Sequence, residues 1–249
     1  LHFLFSVNFF LFFLGIITGF IGTNTGGSAF LTVPVMIFLG IQPQSAIATA
    51  RVASIGTMLA GLRQFHRHGK IDYKLALPTA GFSLVGSLAG ATILVYLNTN
   101  IVHKMIGFIT LFMVILTLIK KPKLTICPPS KLKRLFSYFL FMLTGMIGGL
   151  FGGQAKLSTY IFILIYNKTV SESVGTRKVS GLIASIGALF IYGFHQIVNW
   201  GFGFTLVCGT AIGSTMGAKY ALRKGDLWME RLLNLVVILL ALRLIFLPI

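Results

Sequence analysis

The chain has 249 residues, of which 56% are hydrophobic and only 10% charged, and its mean hydropathy is +0.91. Soluble domains carry roughly a quarter charged residues, so this composition excludes that class. The formal net charge of +17 does not read as a nucleic-acid footprint either. The Lys and Arg gather in short connections between apolar runs, as the positive-inside rule describes, and not on a polar face interleaved with aromatics.

Continuous runs such as Phe9 to Ile17 lack the period-two alternation of a membrane barrel strand. The spanning elements are therefore helices, and the expected class is an all-α integral membrane protein. The first half gives apolar segments at 4–22, 28–39, 44–62, 75–97 and 101–119. The first of these lacks the basic start and cleavage zone of a signal peptide, so it reads as a mature membrane helix. A basic linker, KKPKLTICPPSKLKR from Lys120 to Arg134, follows. The second half gives segments at 135–150, 155–166, 171–193, 201–222 and 231–247. Segments 28–39 and 155–166 are short, about 18 Å of helix against a ~30 Å bilayer core. Either they complete ten crossings or they enter and turn back, leaving eight.

The two halves repeat each other. GFIGTNTGGSAFLTV (19–33) and GMIGGLFGGQAKLST (145–159) share seven of fifteen residues at an offset of 126. The same offset carries Ser45 onto Ser171, Arg51 onto Arg177 and Ser54 onto Ser180, and Gly86 and Gly90 match Gly213 and Gly217 one residue further on. Paired, glycine-interrupted hydrophobic segments are the sequence mark of a transporter's binding site. The expected organisation is a first transmembrane repeat (1–119), a basic cytoplasmic linker (120–134) and a second transmembrane repeat (135–249). The loop at 63–74 is basic, whereas HQIVNWG (195–201) has no Lys or Arg. Corresponding loops thus fall on opposite sides, which predicts two inverted repeats with both termini outside.

Candidate binding residues cluster at the glycine breaks. Backbone N–H groups of Gly26, Gly27, Gly152 and Gly153 are expected to converge, because a helix opening after a break presents its positive dipole end. Arg51 and Arg177 lie inside apolar runs, and Lys156 follows the second break. A cation at the bilayer centre costs at least ~2.5–3.5 kcal/mol and needs a partner or a cavity. Only four acidic residues exist, Asp72, Glu172, Asp226 and Glu230, and none is central to an apolar run. An anionic substrate is the missing partner. Asn24, Thr25 and Gln154 beside the breaks, and Thr49 and Thr176 beside the arginines, complete the expected set with neutral groups suited to an oxyanion. No catalytic residue, metal site or cofactor is expected: Cys127 and Cys208 have no ligand spacing, and GTNTGG lacks the Lys-Ser/Thr of a phosphate loop.

The glycine-rich break, the apolar run to Pro34, IQPQSAIATAR, the basic loop ending GKIDY, and the second copy GMIGGLFGGQAKLST…SVGTRKVSG…IVNW resemble the sulfite exporter TauE/SafE family over about 15–245. This chain departs from the family pattern at TNTGG and at Tyr160, which stands where the first half has Pro34. The resemblance implies a multi-pass permease of the inner (cytoplasmic) membrane, exporting sulfite or organosulfonates by alternating access. Its partners would be the lipid bilayer and a small anionic substrate, with no nucleic acid, and a homodimer is an admissible assembly. An anion channel and a non-transporting membrane scaffold or assembly factor are the alternatives.

Overall fold

The computed structural model describes residues 2–26, 28–118 and 130–224, with side chains given except at 2–5, 24–25, 110–118 and 224. Every element within them is an α-helix: α1 (His2–Thr25), α2 (Ser28–Phe38), α3 (Pro43–Arg67), α4 (Tyr73–Tyr96), α5 (Thr99–Leu118), α6 (Lys131–Phe151), α7 (Ala155–Tyr166), α8 (Val170–Phe194) and α9 (Trp200–Lys224). Five of these, α1, α3, α4, α6 and α8, are long and apolar enough to cross a membrane. Phe9, Phe108, Phe190 and Phe204 turn outward, where lipid would cover them. The expected segment 231–247 and most of the linker lie outside the described residues.

Two helices run longer than their apolar content predicts. The third was expected at 44–62 but continues to Arg67, carrying its polar end out to a basic connection. The sixth begins at Lys131, not near 135, because Ser130 caps it by accepting from the Lys133 N–H at 3.3 Å. Two other starts are capped likewise. Asp72 accepts from the Leu75 N–H at the head of α4, and Thr169 and Glu172 form a reciprocal capping box at the head of α8, as the orphan N–H groups of a first turn require.

Helix direction follows from which residues touch. Asn8, Ile16 and Phe20 of α1 lie against Thr205, Gly213 and Gly217 of α9 in rising order, so the two helices are parallel. Thr49, Val52 and Thr57 of α3 meet Asn199, Gly203 and Ser214 in the same sense. In contrast, Arg51, Met58 and Gly61 meet Ser185, Gly181 and Lys178 of α8 in falling order. Helices α4 and α6 run with α8, as Asp72–Thr176, Ser87–Ala184, Gly86–Met142 and Gly90–Met146 show. Thus α1, α3 and α9 point one way and α4, α6 and α8 the other. Helices α2 and α7, 11 and 12 residues long, are return legs too short to cross a ~30 Å core.

The packing is exchanged between the halves. Helix α1 lies on α9, and α6 lies on α4, so each half's first helix covers the other half's fourth. Both contacts run on glycines four residues apart: Gly15 and Gly19 with Gly209, Gly213 and Gly217, and Gly86 and Gly90 with Gly145 and Gly149. Close backbone approach of this kind is how helices gain packing in lipid, where no hydrophobic drive exists between them. Charge sorts along the bundle. Arg63, Arg67, Lys70, Lys74, Lys168 and the start of α6 share one end, while the connections at 39–42, 97–98 and 195–199 at the other contain no Lys or Arg.

A Cβ at Gly213 would overlap the Ile16 carbonyl, whereas one at Gly81 would meet nothing. Gly213→Ala is therefore expected to lower the stability of the solubilised protein by roughly 1–3 kcal/mol through overpacking. Gly81→Ala should be neutral or gain up to ~1 kcal/mol from helix propensity. Thermal melts of the two variants check this, and equal melts would show that the α1–α9 seam is not tightly closed.

Candidate functional site

The two glycine breaks meet at the centre of the bundle. Helix α1 ends at Gly26, whose φ is 75°, and α6 ends at Gly152 and Gly153, both with φ of 79°. Only glycine takes up this region without strain, and space demands it as well. A Cβ on Gly26 would collide with Ala155 of the other break, and one on Gly153 with the Phe30 ring. Immediately beyond, α2 opens at Ser28 and α7 at Ala155, in opposite halves, so two helix N-termini face one point. Each brings unsatisfied N–H groups and the positive end of its dipole.

A cavity of about 30 Å³ lies there, lined by both breaks together with Arg51, Arg177, Gln154 and small residues that include Ser28, Ser54 and Ser158. Arg51 is 3% exposed and Arg177 is 2% exposed. The Arg51 Nη1 donates to Ser185 Oγ at 3.4 Å, while its Nε and Nη2 have no hydrogen-bond partner among the described residues. The Arg177 Nη2 donates to the Thr23 carbonyl at 3.4 Å. Neither Asp72 nor Glu172 lines the cavity. Asp72 pairs with Lys168 at 2.8 Å, and Glu172 caps Thr169.

Of the residues expected at the site, Arg51, Arg177, Gly26, Gly153 and Gln154 line the cavity, and Gly152 sits beside it against Ala29. Three do not line it. Lys156 is buried near the Tyr160 ring, 6.0 Å from its centroid. Thr49 accepts from the Asn199 N–H at 3.0 Å, and Thr176 from the Asp72 N–H at 3.1 Å. These two threonines fasten the starts of α9 and α4 to α3 and α8. The side chains of Asn24 and Thr25, and Gly27 altogether, lie outside the described residues. Ser54, Ser158 and Ser180 donate to their own helix carbonyls, as hydroxyls within helices do. Lys178, which follows Arg177 in sequence, was not expected at the site, and it is fully buried. Its only sequence signal was a second cation in an apolar run.

Residues 11–244, nearly the whole chain, match the family described as sulfite exporter TauE/SafE. The chain belongs to this family. Its TauE/SafE membership makes it a membrane transporter of multi-pass helical type, as the five candidate spans require. It is similar to a probable membrane transporter protein, ORF9, of Sinorhizobium sp, at 26% identity over 95% of this chain and 91% of the relative. It is also similar to the probable membrane transporter protein YfcA of Escherichia coli K12, at 23% over 95% and 88%. A third relative is the probable membrane transporter protein YdhB of Bacillus subtilis, at 27% over 84% and 87%. No solved structure matches the chain.

At the basic end, partial burial pushes the Asp72 carboxyl up. The Lys168 hydrogen bond and charge and the Leu75 N–H outweigh this, holding it below the usual carboxylate range. A folded value below the unfolded one means that the pair stabilises above about pH 3.9, and that this contribution disappears as pH falls through the folded value. Asp72→Asn keeps the cap and removes the charge. It is expected to lower stability at neutral pH by under ~1 kcal/mol, the range of exposed pairs. The gap from the parent should close in melts taken at progressively lower pH.

Proposed function

We propose that the protein exports a small sulfur oxyanion, sulfite or an organosulfonate, across the cytoplasmic membrane. The observation that carries this reading is the Arg51 guanidinium. Two of its donor atoms are unpartnered in a buried cavity that neither Asp72 nor Glu172 lines. Removing charge from water without a partner is expensive even where helix insertion tolerates it. An anion between Arg51 and Arg177, capped by the N-termini of α2 and α7, would supply the partner, with the Gln154 amide orienting it. The family's description as a sulfite exporter supports the direction and the chemical class. The volume of about 30 Å³ suits a few non-hydrogen atoms, and an organosulfonate would require the cavity to widen.

Transport follows by alternating access between two inverted repeats, 1–119 and 135–249, joined by the linker 120–134. Supporting this, α1 and α3 point opposite to α6 and α8, which stand at equivalent sequence positions, and α4 points opposite to α9. The basic end is cytoplasmic by the positive-inside rule, so the N-terminus is outside. Rocking one half on the other would open the cavity to each side in turn. Lys156 does not line the cavity and adds its charge through α7, without touching the anion.

Thermal stability of the purified protein against sulfite, thiosulfate, sulfoacetate, taurine, sulfate, acetate and chloride tests the reading. A saturable upward shift is expected with a sulfur oxyanion, and less with taurine, whose ammonium meets two arginines and, among the described residues, no carboxylate. Arg51→Gln should weaken binding at least tenfold, the lower range for truncating a buried charge partner. Saturable counterflow in vesicles separates carrier from pore. No shift with any anion in a folded protein would overturn the anion reading and favour a scaffold role.

A further inference from the structure

Lys178 is buried near the two arginines of the cavity, and it is unlike them. Arg51 and Arg177 are related by the internal repeat, whereas the position equivalent to Lys178 in the first half is Val52. The arginines line the cavity, while Lys178 lies one layer behind it with no exposed surface. Its Nζ donates to Thr23 Oγ1 at 2.7 Å and to the Thr57 carbonyl at 3.3 Å. Ser214 Oγ closes the same cluster, 2.8 Å from Thr23 Oγ1 and 2.9 Å from the Thr57 carbonyl. The groups around Nζ therefore come from α1, α3 and α9 and are all neutral. The one charged neighbour on its own helix is Arg177.

Two acceptors match the two N–H bonds of an amine, and the third N–H of an ammonium has no acceptor among the described residues. Arginine stays protonated in proteins, but a buried lysine exchanges its proton readily. Thr57 both lines the cavity and touches Nζ, so the cavity is one residue away. The charge balance then depends on what the cavity holds. Empty, it leaves the Arg51 guanidinium with two donor atoms lacking a partner among the described residues, and the Arg177 charge next to Lys178 in sequence. Filled by an anion, it offers a counter-charge that favours an ammonium.

Resting on the anion-transport reading above, we propose that Lys178 binds the proton that travels with the anion. As the anion enters, the Nζ lone pair takes a proton from water on the open side and an N–H bond forms. As the anion leaves on the other side, that proton returns to water there. Proton and anion move in the same direction, and no carboxylate takes part.

The test is calorimetric, on the full-length protein in detergent with thiosulfate as the probe, because its charge is constant through the neutral range. Binding heats measured in buffers of different ionisation enthalpy give the protons taken up per anion. The wild type at mildly alkaline pH is expected to take up about one, and its affinity to fall about tenfold per pH unit there. Lys178→Met, which cannot bind a proton, and Lys178→Arg, which cannot release one, should bind thiosulfate with no proton uptake and an affinity flat in pH. A lysine that only packs would leave the stoichiometry unchanged when replaced. Binding without proton uptake in the wild type, or unchanged uptake in either folded variant, would overturn the assignment while leaving the anion site standing. Absence of binding by the folded wild type to thiosulfate and to sulfite would instead remove the anion site, and this inference with it.

Discussion

Burying a guanidinium away from water costs at least a few kcal/mol unless something shares its charge, and the centre of this bundle buries two. The chain answers there with no carboxylate among the described residues. It answers with geometry: two helices are broken so that their positive ends, which add to the excess of charge, also converge on the space between the arginines. An arrangement that piles up positive potential in a closed, low-dielectric volume is poorly suited to an empty resting state. It is well suited to a guest with several acceptor oxygens, which would meet donors from both halves at once. The glycine breaks, the short helices α2 and α7 and the many small residues of the lining are the consequences of making room for that guest inside a close-packed structure.

The same two-fold logic governs the scaffold. Thr49 holds the start of α9 and Thr176 holds the start of α4, equivalent tasks in opposite halves. The glycine seams α1–α9 and α4–α6 are equivalent as well. The halves part company where charge is concerned. Lys178, the Lys168–Asp72 pair and the capping box at Thr169 have no counterpart of the same chemistry at the neutral end. A duplicated frame thus carries unlike interiors on its two sides, which is what a directional device requires of an otherwise symmetric body.

Much of this was legible in the sequence, and the failures share a cause. Helix positions, the paired breaks and Arg51 and Arg177 followed from hydropathy and a constant offset, because those signals are one-dimensional. Thr49 and Thr176 were read as ligands from adjacency to arginine along the chain. One or two residues along a helix turn a side chain by about 100–200°, and so these hydroxyls face connections and not the cavity. Lys156 is likewise close to a break in sequence, yet its ammonium lies 6.0 Å from the ring centroid of Tyr160, one turn further along α7. The serines bond the carbonyl a turn before them, the nearer acceptor for a hydroxyl within a helix. The value of Lys178 lay in neighbours from α1, α3 and α9, which no local pattern announces.

The exchanged packing sets a schedule for biosynthesis. Helix α1 ends at Thr25 and α9 begins at Trp200, so roughly 175 residues are made between the two, about 9–35 s of elongation at ~5–20 residues per second. For that interval the Gly15–Gly19 face of α1 has no native partner and must wait in lipid or against the insertion machinery. A helix that waits must be soluble in the bilayer by itself. Helix α1 meets this requirement, since residues 2–25 include no Asp, Glu, Lys or Arg. Helix α3 waits as well, since its buried Arg51 meets Ser185 of α8, made 134 residues later. Slowing translation ahead of α9 would prolong the stage at which α1 is open to the wrong partner.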